Sequence, residues 1–187
     1  RGLHEMTIEI ETAKGKMQLA HDIQAGLFPS QPIQNQHAAC VGVCQIAEDA
    51  SGDYFDFIEE SDGKIVMMIG DVSGHGVGPA LLMAETRAYV RALLHSEHHL
   101  VTILRQLNRF LVEDIDDGHF VTFMICRFDP GIRTIEYVGA GHEGLMIHND
   151  GKSTKLESST IPLGMCQTMP GCESRSINVQ SNDVVAL

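Results

Sequence analysis

The chain has 187 residues and a formal charge of −12, with 25 acidic residues against 13 basic ones and an isoelectric point near 5.1. That balance argues against a nucleic-acid partner or an anionic lipid surface, both of which need basic patches, and the length suits one domain with its own core. The five cysteines (Cys40, Cys44, Cys126, Cys166 and Cys172) form no C-x-x-C pair; they read as small buried side chains of a reducing compartment. With no apolar run near the ~20 residues that span a bilayer and no signal-peptide pattern, a cytoplasmic protein is expected.

From the amino end, residues 3–28 read as one long helix that stops at Pro29. Leu3, Met6, Ile10, Ala13, Met17, Ala20, Gln24 and Leu27 recur at alternating steps of three and four. That is the coiled-coil period, although an amphipathic helix packed on its own domain fits the same residues. Residues 1–29 are set apart as this helix, and 30–187 as the domain that follows it. Pro29 to His37 is polar and turn-like, and strands follow over Ala39–Ile46, Tyr54–Glu59 and Lys64–Val72. The run Ile65-Val66-Met67-Met68-Ile69 is apolar on both faces and must be covered on both.

Two helices come next. Val77–Leu94 is rich in Ala, Leu and Met, and Leu100–Ile115 carries one stripe of Leu100, Ile103, Leu104, Leu107, Leu111 and Ile115. The remainder reads as strands over Phe120–Phe128, Thr134–Val138, Gly144–Ile147, Ser153–Leu156, Glu173–Val179 and Asp183–Leu187, divided by Asp-Pro-Gly, Gly-Ala-Gly and Asn-Asp-Gly turns. Strands on both sides of two central helices indicate an α+β fold.

Gly52-Asp53-Tyr54 opens one strand, Gly70-Asp71-Val72 closes the next, and Ser61-Asp62-Gly63 between them signals a tight turn. A hairpin centred on Asp62 sets Asp53 directly opposite Asp71; a turn on Asp62-Gly63 leaves the two diagonal. Opposed like charges destabilise a sheet unless a shared proton or a cation joins them. Hard dications suit such oxygen donors. The Ser73-Gly74-His75-Gly76 loop runs from the strand end into a helix start, where backbone N–H groups suit phosphate.

Six segments, in order, resemble the metal-dependent PPM-type (protein phosphatase 2C-like) serine/threonine phosphatases of the bacterial SpoIIE/RsbU branch. They are Ala20 to Pro29, Ser51-Gly52-Asp53-Tyr54-Phe55-Asp56, Gly70-Asp71-Val72-Ser73-Gly74-His75-Gly76, Phe120-Val121-Thr122-Phe123, Gly139-Ala140-Gly141-His142 and Pro162-Leu163-Gly164. The branch often has glycine where this chain has Ser51. The resemblance implies two antiparallel sheets packed as a sandwich and flanked by helices. It implies two Mg²⁺ or Mn²⁺ ions, with Asp71 bridging them, Asp53 and the Val72 carbonyl as further ligands, and a metal-bridging water that attacks phosphoserine or phosphothreonine. Two further carboxylate ligands of the family are expected beyond Leu187, so the chain as it stands is expected to be weakly active. The implied substrate is a phosphorylated STAS-type anti-sigma-factor antagonist. An upstream sensor or receiver domain and a homodimer through the first helix are also expected.

His75 is expected to shuttle a proton, and Ser73 and Gly74 to touch substrate. In the wider family a histidine stands two places after the bridging Asp, where this chain has Ser73. His142 reads as a structural turn residue. His95, His98 and His99 read as a surface loop, and Asp114, Asp116 and Asp117 as a solvated helix end. A catalytically weak pseudophosphatase that binds a phosphoprotein, or an enzyme for small phosphoesters, fits the same residues less well.

Overall fold

A computed structural model describes residues 11, 15, 18–19, 21–45, 51–115 and 118–187. Among the described residues, ten strands and two helices follow the short helical stretch at residues 21–25. A small hairpin pairs β1 (Ile33–Gln34) with β2 (Ala39–Cys40). The main sheet is antiparallel, in the order β3 (Asp53–Glu59), β4 (Ile65–Val72), β5 (Val121–Asp129), β6 (Thr134–Ala140) and β9 (Arg175–Asn178). A second antiparallel sheet has β7 (Gly144–Ile147) between β10 (Val184–Ala186) and β8 (Ser153–Leu156). Helices α1 (Val77–Leu94) and α2 (Leu100–Asp114) connect β4 to β5.

Side-chain parity explains the layers. Along β5, Val121, Phe123 and Ile125 join the cluster that includes the helices, whereas Met124 and Cys126 join a second cluster with Met146 and Leu156. Successive side chains of a strand point to opposite faces, so the main sheet is covered by helices on one side and by the second sheet on the other. The doubly apolar run from Ile65 to Ile69 meets that demand: Val66 and Met68 pack with the helices, Met67 and Ile69 with the second sheet. On α2 the expected stripe is the buried one, with Leu100, Ile103, Leu104, Leu107 and Leu111 fully enclosed. Each such side chain contributes roughly 1.5–3 kcal/mol over leaving it in water.

Two expectations are corrected. Of the strand foreseen over Ala39–Ile46, the described residues form only Ala39–Cys40, and Ile46 lies outside them. Val41 and Val43 beyond it are more than four-fifths exposed, so their β-branched character is not rewarded by burial. The segment read as a polar turn contains β1, because Ile33 and Gln34 find partners in Cys40 and Ala39. The proposed helical seam falls largely on Leu3, Met6, Ile10, Ala13, Met17 and Ala20, which lie outside the described residues. Residues 21–25 are helical, and the turn after them docks on the domain. There Leu27 and Phe28 pack against the helix-side core, and the Phe28 ring stacks on Phe55 at 5.1 Å. Among the described residues no helix is long and apolar enough to cross a membrane.

Candidate active site

The β3–β4 register pairs Asp53 with Asp71 and Glu59 with Ile65, as a turn centred on Asp62 requires. Tyr54, Asp56 and Ile58 face the helices: Tyr54 and Ile58 pack in that core, and Asp56 binds Arg91 of α1. Asp53 therefore points to the opposite face, as does its partner Asp71. The next strand continues the row, because Asp71 pairs with Thr122 of β5. The Thr122 Oγ1 lies 2.9 Å from the His142 Nδ1, just past the end of β6. One row thus crosses three strands, Asp53, Asp71 and Thr122, with the half-buried His142 at its far end.

The charges register this closeness. Burial, and then the facing Asp53 carboxylate, push the Asp71 carboxyl above its usual range, with His142 pulling the other way. Burial pulls the His142 imidazole down, opposed by Asp71, Asp53 and Glu143. Residues far apart in sequence thus share one electrostatic environment.

The segment preceding Asp53 is held tightly. The Asp53 N–H donates to the Ser51 Oγ at 3.1 Å, and that hydroxyl donates to the Asp53 Oδ2 at 2.9 Å. Gly52 accepts the Val72 N–H at 3.2 Å. A Cβ on Gly52 would come within 2.6 Å of the Val72 carbonyl oxygen. The missing side chain leaves that carbonyl approachable beside the two carboxylates. Two carboxylates and a carbonyl are hard oxygen donors of the kind that Mg²⁺ and Mn²⁺ take, so the residues present fit such ions. Among the described residues no group of three or more His, Cys, Asp or Glu side chains gathers around a common point; the acidic donors here are the pair itself.

The loop after Asp71 places the other expected residues. The Ser73 N–H donates to the Phe120 carbonyl at 2.9 Å, and the Ser73 Oγ accepts the Phe120 N–H at 3.0 Å. The His119 ring touches the Ser73 carbonyl at 3.0 Å and lies 3.5 Å from where a Cβ on Gly74 would stand. Ser73 is thus occupied in tying the loop to the entry of β5, and Gly74, at φ 94°, takes a left-handed conformation that suits glycine. His75 is exposed. Gly76, also at positive φ, precedes α1, whose first turn has no acidic residue and no side-chain cap. Its N–H groups are left for solvent or an anion.

Sequence reasoning missed two members of this neighbourhood, Thr122 and Gln24. It gave His142 only a structural part; the contact with Thr122, which pairs with Asp71, is what brings that ring to the carboxylates. A cleft of about 660 Å³ lies at the other end of the hairpin, against Lys64, Arg91 and Arg127. Its arginines are engaged by Asp56 and Glu60, and it stands apart from the carboxylates.

Residues 61–187 match the family model for stage II sporulation protein E (SpoIIE). The chain is 26% identical over 157 residues to the phosphoserine phosphatase RsbU of Bacillus subtilis (strain 168), covering 82% of this chain and 46% of that protein. It therefore spans less than half the length of that relative. Its fold is that of the PP2C phosphatase domain of SpoIIE from Bacillus subtilis, with a TM-score of 0.63 at 20% identity over 73% of this chain and 40% of that one. It is also that of RsbX solved with magnesium, with a TM-score of 0.65 at 14% identity over 82% of this chain and 74% of that one.

Proposed function

The chain belongs to the SpoIIE family, the SpoIIE/RsbU branch of the PPM-type phosphatases, and from that premise we propose that it is a metal-dependent phosphatase of phosphoserine or phosphothreonine on a regulatory protein. The observation that carries this reading is the β3–β4 register, which sets Asp53 against Asp71 on one face beside a carbonyl that Gly52 leaves approachable. Asp71 and Asp53 would hold Mg²⁺ or Mn²⁺, with the Val72 carbonyl as a further donor. RsbX, which shares the fold, was solved with magnesium.

Such ions, held by Asp53, Asp71 and the Val72 carbonyl, would supply an activated water and neutralise charge on the phosphoryl oxygens. The chain's own residues do the rest. Asp53 and Asp71 present their oxygens from rigid, paired strands. Thr122 holds the His142 ring at the end of the same row, where an imidazole can take or give a proton as the ester oxygen leaves. His75, on the exposed loop, is the other imidazole for that part. The N–H groups opening α1, which has no side-chain cap, follow the loop after Asp71 and suit a phosphoryl oxygen. Ser73 and Gly74 shape that loop rather than offering it a hydroxyl.

The protein substrate we propose is a STAS-type anti-sigma-factor antagonist, as the resemblance to the SpoIIE/RsbU branch implies. Residues 30–187 would form the phosphatase unit, with 1–29 as the helix that connects it to a sensor or receiver domain and pairs with a second copy. Release of phosphate from a phosphoserine-bearing STAS protein, measured with Mn²⁺ and with EDTA, tests the reading. Mn²⁺-dependent turnover abolished by Asp71→Asn is expected. Tight binding of the phosphoprotein without turnover would instead support a pseudophosphatase, and preference for p-nitrophenyl phosphate over the phosphoprotein would point to small esters.

A further inference from the structure

We infer that Gln24, at the end of the first helix, is a positioning residue for the metal-binding carboxylate Asp53, acting through the Ser51 peptide and hydroxyl; the inference rests on the metal reading of that carboxylate.

Gln24 is 3% exposed, although its neighbour Ile23 is 62% exposed. A buried amide is tolerated only when its donors and acceptors are matched. Both ends of this one are matched by a single residue: Gln24 Oε1 accepts the Ser51 N–H at 3.0 Å, and Gln24 Nε2 donates to the Ser51 carbonyl. The side chain thus treats Ser51 as a neighbouring strand would, fixing both the place and the rotation of its backbone. Ser51 then passes this on. Its hydroxyl donates to Asp53 Oδ2 at 2.9 Å and accepts the Asp53 N–H at 3.1 Å. Ser51 lies before β3 begins, so the main sheet's ladder does not hold it.

The consequence is directional. A carboxylate that loses its orienting hydrogen bond samples more rotamers, and a cation must then fix it at an entropic cost. Gln24 touches no ion and no substrate; it sets where Asp53 waits. The signal in the sequence is the one polar residue in an otherwise apolar helical row, which a purely helical packing role does not account for. The Ser51 hydroxyl adds a link that a glycine at that position would lack, whereas the amide's grip on the peptide needs no side chain there.

The test uses the intact protein and aqueous Mn²⁺ alone, with free ion counted by electron paramagnetic resonance and folding followed by melting in EDTA. Gln24→Leu keeps the bulk and removes both hydrogen bonds. Ser51→Ala removes only the hydroxyl. Each is expected to weaken Mn²⁺ binding by about 10-fold or more, within the range for outer-shell groups. The double variant should lose less than the two single losses combined, because both act along one path. Unchanged Mn²⁺ affinity in a folded Gln24→Leu protein would show a role in packing alone and overturn the inference. If that variant does not fold, unchanged affinity in Ser51→Ala overturns it. Asp71→Asn separates the two failures: loss of Mn²⁺ binding there with no loss in the Gln24 and Ser51 variants sinks only the positioning role. Equal binding by Asp71→Asn and wild type sinks the metal reading, and this inference with it.

Discussion

Asp71 stands where burial and the facing Asp53 both resist its charge. Its folded pKa lies above the unfolded one, so it favours the fold fully below the unfolded pKa and loses that advantage as pH rises through the folded pKa. At neutral pH without metal, the pair is a net cost. Asp71→Asn should therefore melt higher than wild type in EDTA; because Asp71 is exposed, solvent screening keeps the gain below the roughly 1 kcal/mol of fully opposed like charges, or less than about 2–4 °C for a domain of this size. With Mn²⁺ the order should reverse, because only wild type gains from binding. A variant that melts lower than wild type in EDTA would show that the carboxylates are not repelling one another. Asp56 makes the contrasting case on the other face of the same strand. It is 1% exposed and takes two hydrogen bonds from Arg91, at 2.6 and 2.8 Å, and one from the Tyr54 hydroxyl. Asp56→Ala strands the arginine's charge against the core. Because Arg91 keeps some solvent contact, the cost should sit at the lower end of the range for a broken buried pair, about 3 kcal/mol by urea unfolding.

The β3–β4 hairpin is the element that makes the site, and its sequence left two registers, one centred on Asp62 and one on Asp62-Gly63; the structure takes the first and sets Asp53 against Asp71. Gly63 confirms the turn with φ 84° and open space around it, so Gly63→Ala should cost about 1–2 kcal/mol for the left-handed backbone while leaving Mn²⁺ affinity nearly intact. Gly52→Ala should do the reverse. Its Cβ meets the Val72 carbonyl oxygen at 2.6 Å, so the start of β3 must move away from the end of β4. Overpacking of this kind costs about 1–3 kcal/mol, and the displacement falls on Asp53 itself. Measured together, Mn²⁺ affinity should drop further in Gly52→Ala than in Gly63→Ala; the opposite order would detach the carbonyl cradle from metal binding. Helix α2 was as legible as the hairpin, since its stripe had one face to bury. The contacts of His142 with Thr122 and of Gln24 with Ser51 were not. They join residues 20 and 27 positions apart, and no periodicity within an element encodes which loop will fold back on which strand end. Val41 and Val43 misled for a related reason: they carry strand-forming side chains but lie outside any sheet that would bury them.

At the scale of the molecule, one sheet separates two cores, and the question is whether they melt together. Cys126 sits in the second-sheet core, and Cys172 in the helix-side core. Both are among the free thiols of the chain. Burial pushes the Cys126 thiol up to about 12, and burial raises Cys172 as well against the pull of Arg105. Strand β5 sends alternate side chains into both cores from one backbone, so neither layer can loosen without disturbing the other. Thiol labelling in native buffer should therefore open Cys126 and Cys172 with the same free energy, equal to that of global unfolding. The half-buried Cys40, Cys44 and Cys166 should label sooner. The same burial sets the alkaline limit. A thiol whose folded pKa is raised supports the fold below its unfolded value and withdraws that support as pH climbs through the folded one. Wild type should lose stability from about pH 9 upward, and Cys126→Ala, though less stable overall, should show a shallower decline over that range. Independent labelling of the two thiols would mean that the layers on either side of β5 hold themselves together separately, and parallel pH profiles for wild type and variant would mean that the Cys126 thiol is not held above its usual range.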